Sequence, residues 1–251
     1  CWDEAGLIVR PAVLMRRWRH LPREVQVGGI GVTMIVLLAV LAPLWWPYDP
    51  NRIDILQSFE PPSLAHPFGT DAAGRDLLAR VLYGLQLDLG IVSLLTAICF
   101  VSGSVIGAYA GFRGGWVDVA ISRISDTVVA LPFIVIVMAV VAALGVGGFA
   151  VSVGVVFVGW AVFARLARSE MISLRDQEFL LATSALGYSR ARVFWRHALP
   201  NVLAPGSTWL TIDAVGTLMV FAAMSYLGFG IQPPQADLGS IIASGQQYLT
   251  S

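Results

Sequence analysis

Five long apolar runs constrain this chain more than any other feature of its sequence. They cover residues 25–46, 87–112, 128–146, 149–166 and 202–229. A helix needs about 20 mostly apolar residues to cross a bilayer. Only 13% of the residues are charged, which is too few to cover the surface of a water-soluble protein. The number and length of the runs also argue against buried helices of a large soluble protein. The sequence therefore predicts an all-α membrane protein.

The arginines predict how these spans are oriented, because cytoplasmic loops carry an excess of basic residues. All 16 basic residues are arginine. Thirteen of them lie in the N-terminal segment and in the links between spans two and three and between spans four and five. Two spans separate each of these three segments from the next, so all three would lie on the same side of the membrane. We therefore predict a multi-pass protein whose N-terminal segment, residues 1–24, is cytoplasmic, followed by a transmembrane domain over residues 25–251.

The link between spans four and five, residues 167–201, is polar and rich in arginine. It contains the stretch QEFLLATSALGYSRARVFWRHALPN, residues 177–201. A first short helix is predicted by apolar and small residues at helical spacing, namely Phe179, Ala182, Thr183 and Leu186. Gly187 is placed to end that helix as a C-terminal glycine.

A second short helix is predicted after this glycine. Ser189 is placed to cap its N-terminus, and Pro200 is placed to end it. One side would carry Ala191, Phe194 and Ala198, and another side would carry Arg192 and Arg196. Two short helices that meet at a glycine would form a compact knob that fits a groove on another protein. The alternative is an interfacial hairpin that only joins two spans.

A second polar segment, residues 66–85, precedes the second span and would lie on the outer side. Turns are predicted at Gly69, Asp71 and Gly74, and Arg75 and Asp76 follow them. Apolar residues then recur at helical spacing, namely Leu77, Leu78, Val81, Leu82 and Leu85. This pattern predicts an amphipathic helix lying on the outer membrane surface. Asp76 and Arg80 are four apart and are predicted to form an ion pair.

The spacing of Ala182, Gly187 and Leu199-Pro200 resembles the EAA loop of bacterial ABC importer permeases. The fuller stretch is similar to the dipeptide/oligopeptide/nickel branch, and to its C-type permease subunit. The segment HPFGTDAAGRDLLARVLYG, residues 66–84, and the segment SYLGFGIQPP, residues 225–234, resemble the same branch. The sequence departs from the family pattern at Leu181, where a glutamate is usual, at Thr183, where an alanine is usual, and at Phe221, where a glutamate is usual.

The resemblance implies a type I ABC importer permease fold, with a sixth span and a short cytoplasmic tail beyond residue 251. It implies that the loop contacts an ATP-hydrolysing subunit through Glu178, Phe179, Ala182, Thr183, Gly187, Arg192, Arg196, Leu199 and Pro200. The implied partners are a homologous second permease, two ABC ATPase subunits (or one with two nucleotide-binding domains) and an extracytoplasmic binding protein. The implied substrate is a dipeptide or oligopeptide, and the implied location is the bacterial plasma (inner) membrane.

Enzyme chemistry is not predicted for this chain. A phosphate-binding loop of the Walker type needs a lysine, and the sequence has none. The histidines His20, His66 and His197 are scattered, and Cys1 and Cys99 give no metal-binding spacing. We therefore expect a non-catalytic subunit without a metal, a cofactor of its own or a nucleic acid partner. ATP and Mg²⁺ would bind to the partner ATPases.

Two features inside the spans remain open at this stage. Gly103, Gly107 and Gly111 present a smooth face, either to another helix of this chain or to a partner permease. Asp213 lies in the fifth run, where a carboxylate is costly. The sequence leaves three alternatives for Asp213: it lines a translocation path, it has a hydrogen-bonded structural role, or it lies near the cytoplasmic end of the span.

The alternative functions differ in class. An importer of nickel or another metal complex belongs to the same branch. A stand-alone secondary carrier would need an inverted repeat or paired charges within the membrane, and Asp213 alone is available. A membrane scaffold without transport activity would leave the predicted docking loop without a purpose.

Overall fold

The computed structural model describes residues 22–248, and this part of the chain is helical, with one isolated bridge between Thr70 and Asp76 as its only β pairing. The all-α prediction is therefore confirmed. Most of the predicted cytoplasmic segment, residues 1–21, lies outside the described residues. The chain divides into two units, Cys1–Pro47 and Tyr48–Ser251.

Helix α1, Arg23–Trp45, belongs to the first unit and matches the first predicted span. It begins directly after Pro22, includes Pro43 near its end, and stops at Trp45, two residues before Pro47. Trp45 and Trp46 form an edge-to-face pair at this end, with ring centroids 5.8 Å apart. Most of the apolar side chains of α1 are exposed, as suits a helix surrounded by lipid or by another chain.

Helix α2, Leu77–Arg113, begins earlier than the predicted second span. The side chain of Asp76 caps it by accepting a hydrogen bond from the backbone N–H of Ala79 at 2.6 Å. No proline interrupts the sequence between Leu77 and Arg113, so residues 77–85 continue into the span. The prediction of a separate amphipathic surface helix in this segment is therefore wrong.

The predicted third span, residues 128–146, is broken in the structure. Helix α3, Gly115–Ala130, meets helix α4, Phe133–Leu144, at an angle of 91°. The break lies at Leu131 and Pro132, because proline disfavours helical backbone in the residue before it, and Leu131 is extended. The predicted bounds therefore do not describe one helix, because they take in the last turn of α3 and all of α4.

Seven helical stretches follow in the described part of the chain, and they also differ from the predicted limits. They are α5 Gly148–Arg175, α6 Glu178–Ala185, α7 Arg190–Val193, a π-helical turn Phe194–Ala198, α8 Leu199–Gly206 and α9 Trp209–Tyr226, followed by the short α10 Leu238–Gln246. The fourth span extends well past residue 166. The fifth is divided at Ser207 and Thr208. Pro200 does not end a helix, because it lies in the first turn of α8, where a missing N–H is tolerated.

Helices α2 and α5 run parallel and pack closely through the glycines of α2. A side chain at Gly107 would overlap the backbone of Ala164, and one at Gly111 would lie 2.9 Å from the carbonyl oxygen of Arg168. Gly103 approaches the carbonyl oxygen of Trp160 in the same way. The glycine face therefore serves packing within this chain, which decides between the two interpretations of the sequence.

We call the end of this helix pair at Arg113 and Arg175 the knob end, and the end at Leu77 and Gly148 the far end. Four helices, α1, α2, α5 and α9, are long and apolar enough to cross a membrane, and α3 with α4 makes a bent fifth candidate. The links after α2 and after α5 lie together at the knob end, as the arginine pattern predicted. The predicted sixth span remains a prediction.

Candidate functional site

Residues 178–200, which we call the knob, are anchored by a buried apolar cluster at the knob end. Its members are Leu180, Val193, Phe194, Ala198, Leu199 and Val202, together with Ala108 of α2 and Ala167 and Met171 of α5. Phe194 also packs against Tyr109 and Phe112 of α2, with ring centroids 5.8 and 5.4 Å away. The knob is therefore packed against α2 and α5 and is more than an exposed link between two spans.

Gly187 shapes the turn between the two parts of the knob. Its φ of +80° is a conformation that glycine adopts readily, and the predicted C-terminal glycine is confirmed. The backbone N–H of Leu186 donates to the carbonyl of Ala182 at 3.0 Å, and that of Tyr188 donates to the carbonyl of Thr183 at 3.3 Å. Ser189 then caps α7 through the N–H of Arg192, also as predicted.

The outward side of the knob is apolar and aromatic. Leu186 is 74% exposed and Trp195 is 58% exposed, and Phe179 and Tyr188 are also exposed. The predicted stripe of Phe179, Ala182 and Leu186 therefore faces outward, and Leu180 packs inward in its place. Ala191 is exposed as well, so its predicted place beside Phe194 and Ala198 is wrong. The helical spacing of α6 did not reveal the role of Leu180, because Leu180 was not part of the predicted stripe.

The charged residues of the knob are exposed as well. Glu178, Arg192, Arg196 and Pro200 are exposed, whereas Leu199 is buried and Thr183 is half-buried. The guanidinium of Arg192 lies 5.5 Å from the ring centroid of Tyr188, and that ring stacks on His197. None of the ion pairs among residues 22–248 includes Arg190, Arg192 or Arg196. This surface combines large apolar groups with cations that the described chain does not neutralise, so it suits an acidic partner with an apolar groove.

The predicted outer segment lies at the far end, around the start of α2. The carboxylate of Asp71 accepts hydrogen bonds from the backbone N–H groups of Ala73 and Arg75 and from Arg75 Nε at 2.7 Å. Gly74 has a φ of +70°, and a side chain there would overlap the backbone of Asp54. These residues hold a folded loop against the first turn of α2.

Arg80 and Asp76 have different partners in this segment, so their predicted ion pair is wrong. Arg80 donates to the carbonyl of Pro50 at 3.1 Å and lies 3.7 Å from Asp71. Asp76 caps α2 and pairs with Nδ1 of His66 at 2.8 Å. His66 is buried and was missed at the sequence level, because its partner lies ten positions away in a loop.

Asp213 lies in α9 and is half-buried against α2. Its carboxyl group lies beside the hydroxyl groups of Thr96 and Thr217, and Oδ2 has no hydrogen-bond partner among the described residues. Thr96 lies near the middle of α2. Asp213 itself lies in the first turns of α9, on the side of the knob, so the three roles given for it above all remain predictions. Phe221, eight residues on, is fully buried in the apolar cluster at the far end.

Metal-binding chemistry has no visible basis in the described part of the chain. Within residues 22–248, no three His, Cys, Asp or Glu side chains come together in a group that could hold a metal ion. The one cysteine in this range, Cys99, is buried and free.

Two sequence families match this chain. The family described as "Binding-protein-dependent transport system inner membrane component" matches residues 103–251, and the "N-terminal TM domain of oligopeptide transport permease C" matches residues 25–62. The chain is 35% identical over 240 residues to the dipeptide transport system permease protein DppC of Alkalihalophilus pseudofirmus. The aligned region covers 93% of this chain and 79% of DppC.

Two further relatives have similar names. The oligopeptide transport system permease protein OppC of Bacillus subtilis is 32% identical over 225 residues, covering 90% of this chain and 74% of OppC. The probable D,D-dipeptide transport system permease protein DdpC of Escherichia coli is 34% identical over 222 residues, covering 88% of this chain and 74% of DdpC.

Proposed function

The chain belongs to the family of binding-protein-dependent transport system inner membrane components, and on that premise we propose that it is the transmembrane permease subunit of an ATP-driven importer of dipeptides or oligopeptides. The resemblance carried by the loop, the outer segment and the end of the fifth span is thereby confirmed, and with it the type I ABC importer fold. An importer of nickel or another metal complex is not favoured, because the relatives named above carry peptide transport names.

The knob is the observation that carries this proposal. It is anchored to α2 and α5 by a buried cluster, and it presents exposed aromatic residues and arginines without an ion-pair partner in the described chain. Because the knob packs onto α2 and α5, a subunit that binds the knob has a contact through which it can displace these helices. We infer that the knob docks into a groove on a partner ATPase, which binds ATP and Mg²⁺, and that this chain has no catalytic group of its own.

The arrangement of the complex follows from this docking. The knob end faces the cytoplasm, the N-terminus lies on the same side, and the membrane is the bacterial plasma membrane. The far end, with its folded loop around Asp71 and Asp76, faces the extracytoplasmic binding protein. A homologous permease completes the translocation path, and two ATPase subunits, or one with two nucleotide-binding domains, complete the complex.

Asp213 is the residue that we assign to the path. Its carboxyl group lies within the candidate span α9, beside the hydroxyl groups of Thr96 and Thr217, and one of its oxygens has no partner among the described residues. Polar groups in such a position commonly face a polar cavity. Alternating access would expose this group to each side in turn.

Purification of the chain from its native membrane tests the proposed function. We expect an ATPase pair and a second permease to co-purify, and the complex to hydrolyse ATP faster when a peptide-loaded binding protein is added. A stable chain without an ATPase would support a secondary carrier or a scaffold and would contradict the proposal.

A further inference from the structure

An ion pair joins α5 to the start of α3. Nε of Arg168 donates to Oδ1 of Asp118 at 2.5 Å, and a second guanidinium nitrogen, Nη2, donates to Oδ2 at 2.7 Å. The two residues are 50 positions apart in the sequence, and their side chains are 33% and 17% exposed. A guanidinium that binds both oxygens of a carboxylate fixes orientation as well as distance.

The last turns of α5 hold the junction between α2 and α3 at two further points. Arg175 donates to the carbonyl of Gly111 at 3.4 Å. Gly111 also approaches the backbone carbonyl of Arg168 and the side chain of Met171. The end of α2 and the first turn of α3 are therefore both held by one face of α5.

The same stretch of α5 is tied to the knob. Only Asp176 and Gln177 separate α5 from α6, and the N–H of Gln177 donates to the carbonyl of Leu174 at 3.0 Å. Met171 is fully buried in the cluster that also contains Leu180 of the knob. The knob and the end of α5 are therefore joined both by a short stretch of chain and by buried contacts.

Helix α3, in contrast, has few buried contacts of its own. Ser125 is its one buried residue, whereas the shorter α4 buries Ile136, Val137 and Val141. The two helices meet at 91° beside Pro132. A helix with so little buried apolar surface depends on polar contacts for its position. Of the two ion pairs between α3 and α5, the Asp118–Arg168 pair has the shorter distance.

We propose that the Asp118–Arg168 pair is the mechanical link through which a displacement of the knob is transmitted to the bent segment formed by α3 and α4. Both are positioning residues, since neither touches ATP or the peptide. The inference rests on the proposed function, and it assigns to one ion pair the step between the ATPase contact and the membrane helices.

A second ion pair between the same two helices offers a matched control. Arg165 lies 3.7 Å from Asp126, by a single contact, and both side chains are more than half exposed. Exposed single-contact pairs contribute little to structure or coupling. Asp126→Asn therefore removes the same charge from the same helix without removing a two-point link.

The test uses the whole complex, purified and reconstituted with its binding protein and a radiolabelled mixture of alanine di-, tri- and pentapeptides. The variants are Asp118→Asn, Arg168→Gln, Arg168→Lys, the double variant Asp118→Asn/Arg168→Gln, and Asp126→Asn. For each variant, complex yield, ATP hydrolysis and peptide uptake are measured, and uptake is divided by ATP hydrolysed. We expect normal yield but a loss of uptake per ATP of about 2-fold to 30-fold in Asp118→Asn and Arg168→Gln, the range for loss of one coupling element.

The remaining variants make the outcome specific. The double variant should lose no more than the worse single variant, because the two residues act through one another. Arg168→Lys, which keeps the charge but loses the two-point geometry, should fall in between, and Asp126→Asn should match the wild type. Wild-type coupling in Asp118→Asn, losses that add in the double variant, or failure of both Asp118→Asn and Arg168→Lys to assemble would overturn the inference. The proposed function fails separately, if the wild-type chain recruits no ATPase.

Discussion

The knob end and the far end carry their charged residues in different ways. At the knob end, Arg190, Arg192 and Arg196 are exposed and take part in none of the ion pairs of the described residues. At the far end, His66, Asp76 and Arg80 are each less than a tenth exposed, and each has a partner within the chain.

Buried carboxylates extend this pattern at the far end. Asp88 of α2 accepts a hydrogen bond from the backbone N–H of Leu238 at 3.0 Å, and Asp237 caps α10 through Gly239 and Ser240. The bond from Asp88 ties α10 to α2, whereas the bonds of Asp237 are local to α10. Each carboxylate is bonded through Oδ2 alone, and Oδ1 of each has no hydrogen-bond partner among the described residues. A charge that is buried must be compensated within the fold, whereas an exposed charge is available to a partner. The comparison indicates that the far end is held together from within, whereas the surface of the knob leaves its arginines available to the partner that we propose.

The largest expected effect is at the far end, where polar residues hold the fold. Asp76→Ala removes the cap of α2 and leaves His66 without the carboxylate it contacts. We expect a loss of about 2–4 kcal/mol of stability, the sum of a lost cap and a buried polar group left unpaired. Thermal unfolding of the purified complex measures it. Asp49→Ala is the control, because Asp49 is exposed and makes one local bond to the N–H of Asn51. Equal melting temperatures for Asp76→Ala and Asp49→Ala would contradict the claim that buried polar residues stabilise the far end.

The next effect is at Gly187, where backbone conformation shapes the knob. Gly187→Val should cost about 1–3 kcal/mol locally, because a β-branched residue is strained at positive φ. The open space around this glycine means that strain, and not a clash, is the cause. We expect peptide uptake to fall about tenfold or more while the chain still accumulates in the membrane. Gly187→Asn should keep most uptake, since asparagine tolerates this conformation. Equal loss in both variants would show that positive φ is not what matters there.

A smaller effect is expected for the exposed arginines of the knob. Arg192→Gln and Arg196→Gln should each weaken ATPase binding by about 2-fold to 5-fold at low salt, as for exposed charges at an interface, and the difference should shrink at high salt. Melting temperature should not change. Arg123→Gln, on the exposed side of α3, serves as the control. ATPase binding that is insensitive to both knob substitutions would show that these cations face no acidic partner.

The smallest expected effect concerns Asp213. Asp213→Asn keeps the shape and most hydrogen-bonding atoms, so we expect normal complex yield with altered substrate-stimulated ATP hydrolysis. Asp213→Leu should lower the yield only if Thr96 or Thr217 depends on the carboxylate, at about 1–3 kcal/mol for a polar group left unpaired. Normal yield and normal stimulation in both variants would leave Asp213 outside the path.

Much of the fold could be predicted from the sequence, because apolar runs and local signals specify it. The apolar runs located the spans, and Gly187 and Ser189 predicted the turn and the cap in the knob. The limits of the helices were less predictable. Residues 77–85 have an amphipathic pattern, but nothing stops the helix after them, and Pro132 bends a run that hydropathy alone presents as continuous.

Contacts between distant residues could not be predicted from one sequence. Arg168 and Asp118 are 50 positions apart, and no local rule pairs them. The pairing of Asp76 with Arg80, which a local rule does favour, was wrong because the fold supplies His66 and Asp71 as competing partners. The spacing of Phe179 and Leu186 likewise gave no direction for their stripe, since the direction depends on what the helix packs against.

Site-specific cross-linking compares the two ends most directly. Leu186→Cys places a thiol on the exposed surface of the knob, and Leu64→Cys places one on a fully exposed position of the far-end loop. In intact cells, the account predicts that Leu186→Cys cross-links to an ATPase subunit and is protected from a membrane-impermeant thiol reagent added outside, whereas Leu64→Cys reacts with that reagent. Labelling of Leu186→Cys from outside, or an ATPase cross-link at Leu64→Cys instead, would contradict the assignment of the knob as the cytoplasmic docking surface.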